Sequence, residues 1–442
     1  MLSAEDTDLL CRVGPGTPMG DLMRLYWMPI IFPWEIEPDG QPKQIRVLGE
    51  DLLAWRATDG TPSFTQQRCP HRGTSLFFGR NEEDGIRCAY HGWKFDVTGQ
   101  CIEMPNEVAE SNFKNKVQIT AYKGAEYGGM VWIYMGPNQA DPPGLPEFEW
   151  ANVPDDQRSF YRKIVYENNW MQGLEGEMDS THVYFLHSRV KREDSAKYGL
   201  FHTGLSAKFH LREADYGMLY AAERLEEDGN NYWRTTHFLF PFYGMFPGGP
   251  KSVPMSIYVP IDDTHTLHMG IRWHPTEKMG MARWPKDDLP EEPGTLVEGV
   301  GPMRPEQKGK FFADWWPEAR PETNFLMDLE AKKRNFTGIP SVRLQDSAVI
   351  WSMGPIMDRT VEHLCTTDAA IIKVRRKLIN AAKALREHGT LPPGVENPEW
   401  YNLRTCNVSL PPGPDWEEAL ADWHYVRTNE YPQSSVTQAS TR

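Results

Sequence analysis

The sequence predicts an α+β protein in two parts: an all-β amino-terminal domain, then a domain in which an antiparallel sheet is flanked by helices. Three observations lead there. Residues 40–137 hold short apolar or alternating runs such as QIRVLG, LLAWRAT and GGMVWIYMG, broken by Gly, Asp-Gly and Pro. The stretch PNQADPPGLPEFEW (137–150) is rich in Pro and Gly and marks a boundary. Beyond it, probable strands lie near 207–224, 231–246 and 255–274, between helical stretches. A chain of 442 residues is too long for one ordinary core. The expected division is 1–150 and 151–430, with 431–442 a polar, frayed tail.

In the second part a helix is expected over 169–187, and KFHLREADYGMLYAAERL reads as a hairpin. Residues 276–325 are rich in Pro, Gly and charge and read as loop with short helices. A helix follows near 343–353. The strongest helix is 367–388, with Thr366 or Thr367 as its cap, helical periodicity through AAIIKVRRKLINAAKALREH, and Gly389 to end it.

Acidic residues outnumber basic ones by 61 to 47, a net charge of −14, which argues against a nucleic-acid binder. The start, MLSAEDTDLLCRVG, lacks a basic n-region, and no run of ~18 apolar residues exists, so neither a signal peptide nor a membrane span is expected. A cytoplasmic location follows. Six cysteines in a chain this long make no disulfide scaffold. Cys11, Cys101, Cys365 and Cys406 read as ordinary thiols.

The other two cysteines stand in CPHRGTSLFFGRNEEDGIRCAYHGW. Cys69 and His71 are one residue apart, Cys88 and His91 two apart. Thiolates with imidazoles bind zinc or iron. Zinc sites usually space their ligand pairs by two to five residues, so a one-residue pair is unusual for zinc. The pattern matches a Rieske [2Fe–2S] cluster, in which two cysteines hold one iron and two histidines the other. Neutral imidazoles in place of two thiolates remove negative charge and raise the reduction potential.

A carrier alone leaves some 300 residues unexplained. The next constellation is NNWMQGLEGEMDSTHVYFLHSR, offering Glu175, Glu177, Asp179, His182 and His187. On a helix, at ~100° per residue, Asp179 and His182 sit about 60° apart, while His182 and His187 diverge by about 140°. A local distortion is needed to bring them to one metal. Two histidines and one carboxylate form the facial triad of non-haem Fe(II) oxygenases, with open positions for O2. A distant carboxylate completes the set; the candidates are Asp346, Asp358 and Glu362.

CPHRG followed by CxYHGW, with NW…E…D-x2-H-x4-H behind it, resembles the Rieske non-haem iron aromatic oxygenases, oxygenase (alpha) component. The segments GTPMGDLMRLYWMPI, LFFGRNEEDGIRCAYHGWKFDVTGQC and SMGPIMDRTVEHL…DAAIIKVRR narrow it to the phthalate dioxygenase-type branch. The resemblance implies a helix-grip catalytic domain. It implies a Rieske cluster on Cys69, His71, Cys88 and His91, and mononuclear Fe(II) on His182 and His187. The family places its third ligand at the start of a late helix, where Asp346 matches best. Asp179 matches the carboxylate that bridges His182 and His91 of the partner subunit. Glu175 is a candidate supporting group. A homotrimer or trimer multiple is implied, as is a reductase with flavin and [2Fe–2S] that draws on NAD(P)H.

The branch oxidises aromatic acids, so a cation is expected in the pocket. Lys208 and Arg234 are the candidates. Lys208 stands where phthalate-type enzymes use an arginine, and an ammonium cannot form the bidentate fork with a carboxylate. HFLFPFYGMF (237–246) offers an apolar lining or core packing. The expected reaction is hydroxylation or O-demethylation of an aromatic carboxylic acid, with ring cis-dihydroxylation as the alternative. A Rieske electron carrier with a non-catalytic second domain, or a zinc-stabilised binding module, are the rivals from other classes.

Overall fold

The computed structural model describes every residue except 109, 189, 191–206, 227, 249–251, 280–303, 305–309 and 433–442. Most of the loop expected at 276–325 and of the tail at 431–442 therefore lies outside the described residues.

The amino-terminal β structure is two sheets. One has six strands in the order Trp27–Ile31, Met130–Tyr134, Ala121–Tyr127, Pro62–Gln66, Glu50–Arg56, Lys43–Val47. The other is a four-stranded meander, Arg80–Glu82, Gly85–Arg87, Lys94–Phe95, Cys101–Glu103. The alternation of a strand explains how they share material. On Glu50–Arg56, Leu52 and Ala54 enter the large core, whereas Leu53 and Trp55 enter a small one with Leu76, Ile86 and Phe95. Cys69 and Cys88 sit in that small core.

The second sheet is antiparallel, in the order Arg158–Tyr166, His265–Trp273, Val253–Asp262, Tyr243–Met245, Asn231–Leu239, Gly217–Leu225, Lys208–Ala214. The hairpin expected from KFHLREADYGMLYAAERL is present, and 255–274 is a second hairpin rather than one strand. Asn407–Leu410 adds an eighth strand against Asn231–Arg234. The 237–246 run is mostly core: Phe238, Leu239, Phe240 and Phe242 are buried.

The long helix is Ala369–His388, ended by Gly389 at φ 67 as expected. Its cap differs. A single 3-10 turn, Thr366–Asp368, precedes it, and Asp368 accepts from the Cys365 N–H at 2.7 Å. The helices Ala4–Cys11 and Pro18–Arg24 pack against this long helix, with Lys383 paired to Asp6 at 2.8 Å. The first residues, grouped by sequence with the β domain, thus rest on the second part. A further tie is Lys163 paired with Glu35, both buried, with Trp315 Nε1 donating to Glu35 at 2.8 Å. No helix among the described residues is long and apolar enough to cross a membrane.

Two candidate metal centres

The two Cys/His loops are built alike. In the first, Gly73 N–H donates to Cys69 O and Cys69 N–H to Thr74 O, each at 2.9 Å. In the second, Gly92 N–H donates to Cys88 O at 3.0 Å and Cys88 N–H to Trp93 O at 2.8 Å. Each loop closes through a glycine in the left-handed region, Gly73 at φ 74 and Gly92 at φ 76. At Gly92 a Cβ would lie 2.7 Å from Pro105 Cγ. The loops match, and the unequal spacing records only where the histidine sits within each.

Cys69 and Cys88 are buried while His71 and His91 reach the surface. The His71 ring lies flat on Trp93 (4.4 Å, 11°) and meets the His91 ring edge-on at 4.5 Å. Burial pushes the Cys69 thiol up to about 11; the His71 amide opposes this, and Cys88 adds to it. A thiol so placed ionises only with a metal to stabilise the thiolate. His71 Nδ1 is buried with no hydrogen-bond partner. Two buried thiols and an unpartnered imidazole nitrogen suit a cluster held from both sides.

At the second centre the expected helix over 169–187 is broken. It runs Trp170–Met178, and Asp179 is extended (φ −94, ψ 107). Asp179 Oδ1 then accepts from Thr181 N–H and Oγ1–H, both at 2.6 Å, and caps the turn His182–Tyr184. That turn, not a common helix face, sets the histidines.

The late helix Val342–Ser352 is capped by Ser341 and brings Asp346 in its second turn. Asp346 Oδ1 lies 3.0 Å from His187 Nε2 and 3.6 Å from His182 Nε2. One ligand atom from each of the three lies within 4.8 Å of the others. The far nitrogen of His187 is fixed. Gln345 donates through Nε2 to Ile339 O, so its carbonyl oxygen faces His187 Nδ1 at 2.8 Å and accepts from it. That leaves the His187 Nε2 lone pair toward Asp346. His182 Nδ1 is 3.6 Å from Asp179 Oδ2, too long for a hydrogen bond, and has no other partner. Burial pushes the Asp179 carboxyl up, but His182 and Thr181 outweigh it and hold it down at about 2. Two convergent imidazole nitrogens with one carboxylate, the His187 ring held by Gln345 and the His182 ring beside the Asp179 carboxylate, fit a mononuclear iron.

The other expectations separate. Asp358 is exposed and accepts from Thr360. It does not pair with its neighbour Arg359. Glu362 pairs with Arg375 at 2.5 Å. Glu175 is neither a support for the histidines nor a solvated carboxylate. It bridges Arg359 at 3.1 Å and Arg375 at 2.7 Å in a buried network. Lys208 is 75 % exposed, 3.8 Å from Glu223. Strand alternation is the reason: Lys208 opposes Glu223, whereas Arg234 opposes Ala222 on the other face. Arg234 lines a cavity of about 160 Å³ that opens on His182, His187 and Asp346.

Sequence reasoning missed most of that cavity's wall. Glu177 accepts from Ser256 Oγ at 2.7 Å and Tyr258 OH at 2.8 Å. Arg343 stands 3.5 Å from both Glu177 and Asp346. His268 is stacked between Tyr258 and Tyr166. Burial keeps it neutral, and Arg162 and Arg343 act in the same direction. Arg162 Nη1 faces His268 Nε2 at 3.5 Å, and a guanidinium only donates, so the proton sits on Nδ1. Glu177 stood among the acidic residues of the 168–189 constellation without an assigned role, and Arg343, three residues before Asp346 on one helix, was a further signal available in the sequence.

A buried Cys/His pair of loops ahead of a two-histidine, one-carboxylate cavity defines an oxygenase subunit with an electron store of its own. Comparison with known proteins agrees. Residues 26–122 match the Rieske [2Fe-2S] domain, and residues 133–435 match the family described as LigXa C-terminal domain like. The 3-chlorobenzoate-3,4-dioxygenase oxygenase subunit of Comamonas testosteroni is 37% identical over 430 residues, 95% of this chain and 98% of that one. The phthalate 4,5-dioxygenase oxygenase subunit of Pseudomonas putida is 38% identical over 87% of each. The 5,5'-dehydrodivanillate O-demethylase oxygenase subunit of a Sphingobium species is 34% identical over 86% of this chain and 80% of that one. Among solved structures, NdmA of Pseudomonas putida CBB5 shares the fold, with TM-score 0.55 at 16% identity over 90% of this chain and all of that one. Dicamba monooxygenase does too, with TM-score 0.54 at 16% identity over 83% and 99%.

The chain belongs to the Rieske non-haem iron aromatic oxygenases, as the oxygenase component of the phthalate dioxygenase-type branch. It is an enzyme of a multicomponent system, and its cofactors are a Rieske [2Fe–2S] cluster and a mononuclear iron.

Proposed function

We propose that this subunit inserts oxygen into an aromatic carboxylic acid by hydroxylation or O-demethylation. Cys69 and Cys88 hold one cluster iron, His71 and His91 the other, and His182, His187 and Asp346 hold the mononuclear iron. The observation that carries this reading is the meeting of His182, His187 and Asp346 at one end of a cavity, from segments more than a hundred and fifty residues apart. A carrier with an inert second domain has no use for that convergence. When bound, the cluster stores an electron and the iron activates O2. Around them the chain's residues orient and exclude. Gln345 holds the His187 ring, Asp179 stands beside His182, and Tyr258 and His268 add two stacked, uncharged rings to a wall that also carries Glu177 and Arg343. The acid substrate comes from the branch and from the printed activities of the relatives, and Arg234 in the cavity suits it.

The working unit in this reading is a homotrimer or trimer multiple served by a flavin and [2Fe–2S] reductase that draws on NAD(P)H. Asp179 carries the contact between His182 and His91 of the partner subunit. Among the described residues, no hydrogen bond, ion pair or ring contact joins His71 or His91 to Asp179 or His182 of the same chain, which favours transfer between chains. A reducing, cytoplasmic setting suits the four cysteines outside the cluster, Cys11, Cys101, Cys365 and Cys406, which stand as thiols.

A second reading, ring cis-dihydroxylation, is favoured by the two relatives at 37% and 38% identity that are named as dioxygenases. The test is anaerobic purification with iron and sulfide counts and EPR of the reduced cluster, followed by turnover of aromatic acids under ¹⁸O2. One labelled oxygen on the ring supports hydroxylation; an unlabelled phenol released with formaldehyde supports O-demethylation; two labelled oxygens on the ring support dihydroxylation; zinc without iron removes the whole reading.

A further inference from the structure

Glu177 uses only half of its carboxylate. The other largely buried glutamates use both oxygens. Glu35 takes Lys163 on one and Trp315 on the other. Glu149 takes Arg404 on both, Glu175 takes Arg359 on both, and Glu362 takes Arg375 on both. At Glu177 all three neighbours meet Oε1: the Ser256 hydroxyl at 2.7 Å, the Tyr258 hydroxyl at 2.8 Å and Arg343 Nη1 at 3.5 Å. Among the described residues no hydrogen bond reaches Oε2. The side chain is 7% exposed and lines the cavity, and Oε2 is not sealed off, so this oxygen is the part that opens on the cavity.

The carboxylate is held from two sides. Gly173 and Glu177 are one turn apart on Trp170–Met178 and share a face. A Cβ at Gly173 would lie 2.5 Å from Tyr258 Cε1, so only glycine lets that ring lie against the helix with its hydroxyl at Glu177. Ser256 and Tyr258 are two apart on Val253–Asp262 and project from the same face. The other carboxylates of the site are already engaged. Asp346 faces the two histidines with one oxygen and Arg343 with the other, and Asp179 accepts from Thr181. Leaving a buried carboxylate oxygen without a donor is unfavourable, and an O–H···O⁻ hydrogen bond is roughly twice as strong as a neutral one.

We propose that Glu177 recognises a phenolic hydroxyl on the aromatic substrate, accepting its hydrogen bond at Oε2, and that it is a specificity-determining residue for the reaction. The inference rests on the oxygenase reading above and adds a substituent that the substrate ring carries. A carboxylate held by two hydroxyl donors offers acceptors only. It receives a ring hydroxyl and has nothing to give to the oxygen of a methyl ether. A site built to bond a hydroxyl discriminates against the analogue that lacks it, because its own polar group is then left unpaired. The cavity measures about 160 Å³, and about 150 Å³ holds one benzene molecule, so one ring brings its hydroxyl to this wall.

The test is calorimetric binding to the full-length, iron-loaded protein. The 3- and 4-hydroxybenzoates are set against their methyl ethers, and 2-methoxyphenol against 1,2-dimethoxybenzene as a pair without a carboxylate. Iron, sulfide and the reduced-cluster EPR signal are measured on the same preparation. The wild type is expected to bind 2-methoxyphenol, and the better of the two hydroxybenzoates, about tenfold or more tighter than the matching ether. In Glu177→Gln the two hydroxyls keep the amide oxygen in the Oε1 position, so the NH2 group takes the Oε2 position and offers a donor. The hydroxyl preference is then expected to vanish or reverse, with ether affinity equal or higher. If Glu177→Gln fails to fold, Glu177→Asp carries the comparison: it keeps a carboxylate for Arg343 but draws it back by one methylene, and the preference is expected to fall. Equal binding of phenol and ether by the wild type overturns the proposal. So does a preference that survives unchanged in the variant, which would mark it as a matter of size. A phenol preference in the neutral pair without any binding of the acids would uphold the proposal and count against the aromatic-acid reading. Missing iron or cluster signal would count against the oxygenase reading itself.

Discussion

The two metal-binding regions are built on opposite principles. The cluster loops are local: each is five residues closed by two backbone hydrogen bonds and one left-handed glycine, and the two repeat each other. The mononuclear centre is global. Its turn follows a broken helix, and its carboxylate arrives on another helix some 160 residues later. Local sites survive as sequence patterns because ligand spacing is the geometry. Global sites depend on how elements pack, and spacing says little about them.

The sharpest break between the two is removal of single ligands. Asp346→Ala is expected to abolish turnover and lose the mononuclear iron while the visible spectrum of the cluster persists. Cys69→Ser is expected to do the reverse, losing the cluster colour while added Fe(II) still binds. Metal analysis beside absorption separates them. Loss of both metals in either variant would mean the regions are not independent.

Next in size is Glu175. Replacing it with Gln leaves Arg359 and Arg375 buried with one charge partner fewer. Breaking a buried pair in this way costs about 3–5 kcal/mol. Urea unfolding should record that loss, with iron content at the mononuclear site unchanged in the folded fraction. An iron deficit at full stability would restore Glu175 as a support of the ligands.

A smaller effect is expected at Gln345. Gln345→Ala frees the His187 ring, and loss of such an orienting partner typically costs about 10–100-fold in metal affinity or activity. Fe(II) titration of the apo protein measures it. The cluster loops hold their histidines by stacking rather than by such a bond, so the corresponding change at Trp93 should alter potential more than affinity.

Acid should separate the regions again. His237 is buried on the strand Asn231–Leu239 of the catalytic sheet, bonded to Tyr216 OH and Arg404 O, and burial lowers its pKa to about 4. Unfolded, a histidine titrates near 6.5. Below that pH the unfolded state binds the extra proton, so stability falls with pH until about 4. Between pH 6.5 and 5 the loss is about 2 kcal/mol, and His424 beside it acts in the same direction. Unfolding followed at both pH values should show the dependence, and His237→Asn should flatten it. The least effect belongs to Lys208→Gln. An exposed lysine on the outer face should leave substrate affinity and stability within experimental error, and a raised KM would put it back in the pocket.

The legible part of the fold followed from periodicity. The long helix Ala369–His388 with its left-handed Gly389 and the hairpin Lys208–Leu225 were readable because pattern and end signal agreed. The helix over 169–187 was not, because Asp179 prefers to cap the following turn over continuing a helix, and periodicity does not register such a competition. The Lys208 expectation failed on parity: a one-residue difference in register decides which face of a strand a side chain takes.

The sequence by itself determined the chemistry of the chain. Two Cys/His pairs with tight glycine loops, and a D-x2-H-x4-H string behind them, name the ligand types and the need for iron, since those groups bind metals wherever a fold brings them together. Only the tertiary structure decided which distant carboxylate meets the histidines, which glutamate is an anchor for buried arginines, and which cations look into the cavity. Those are questions of register and packing between segments far apart in the chain. Arg224 illustrates the point: nothing in ERLEED marks it, and its burial beside Arg234 exists only once two strands have paired.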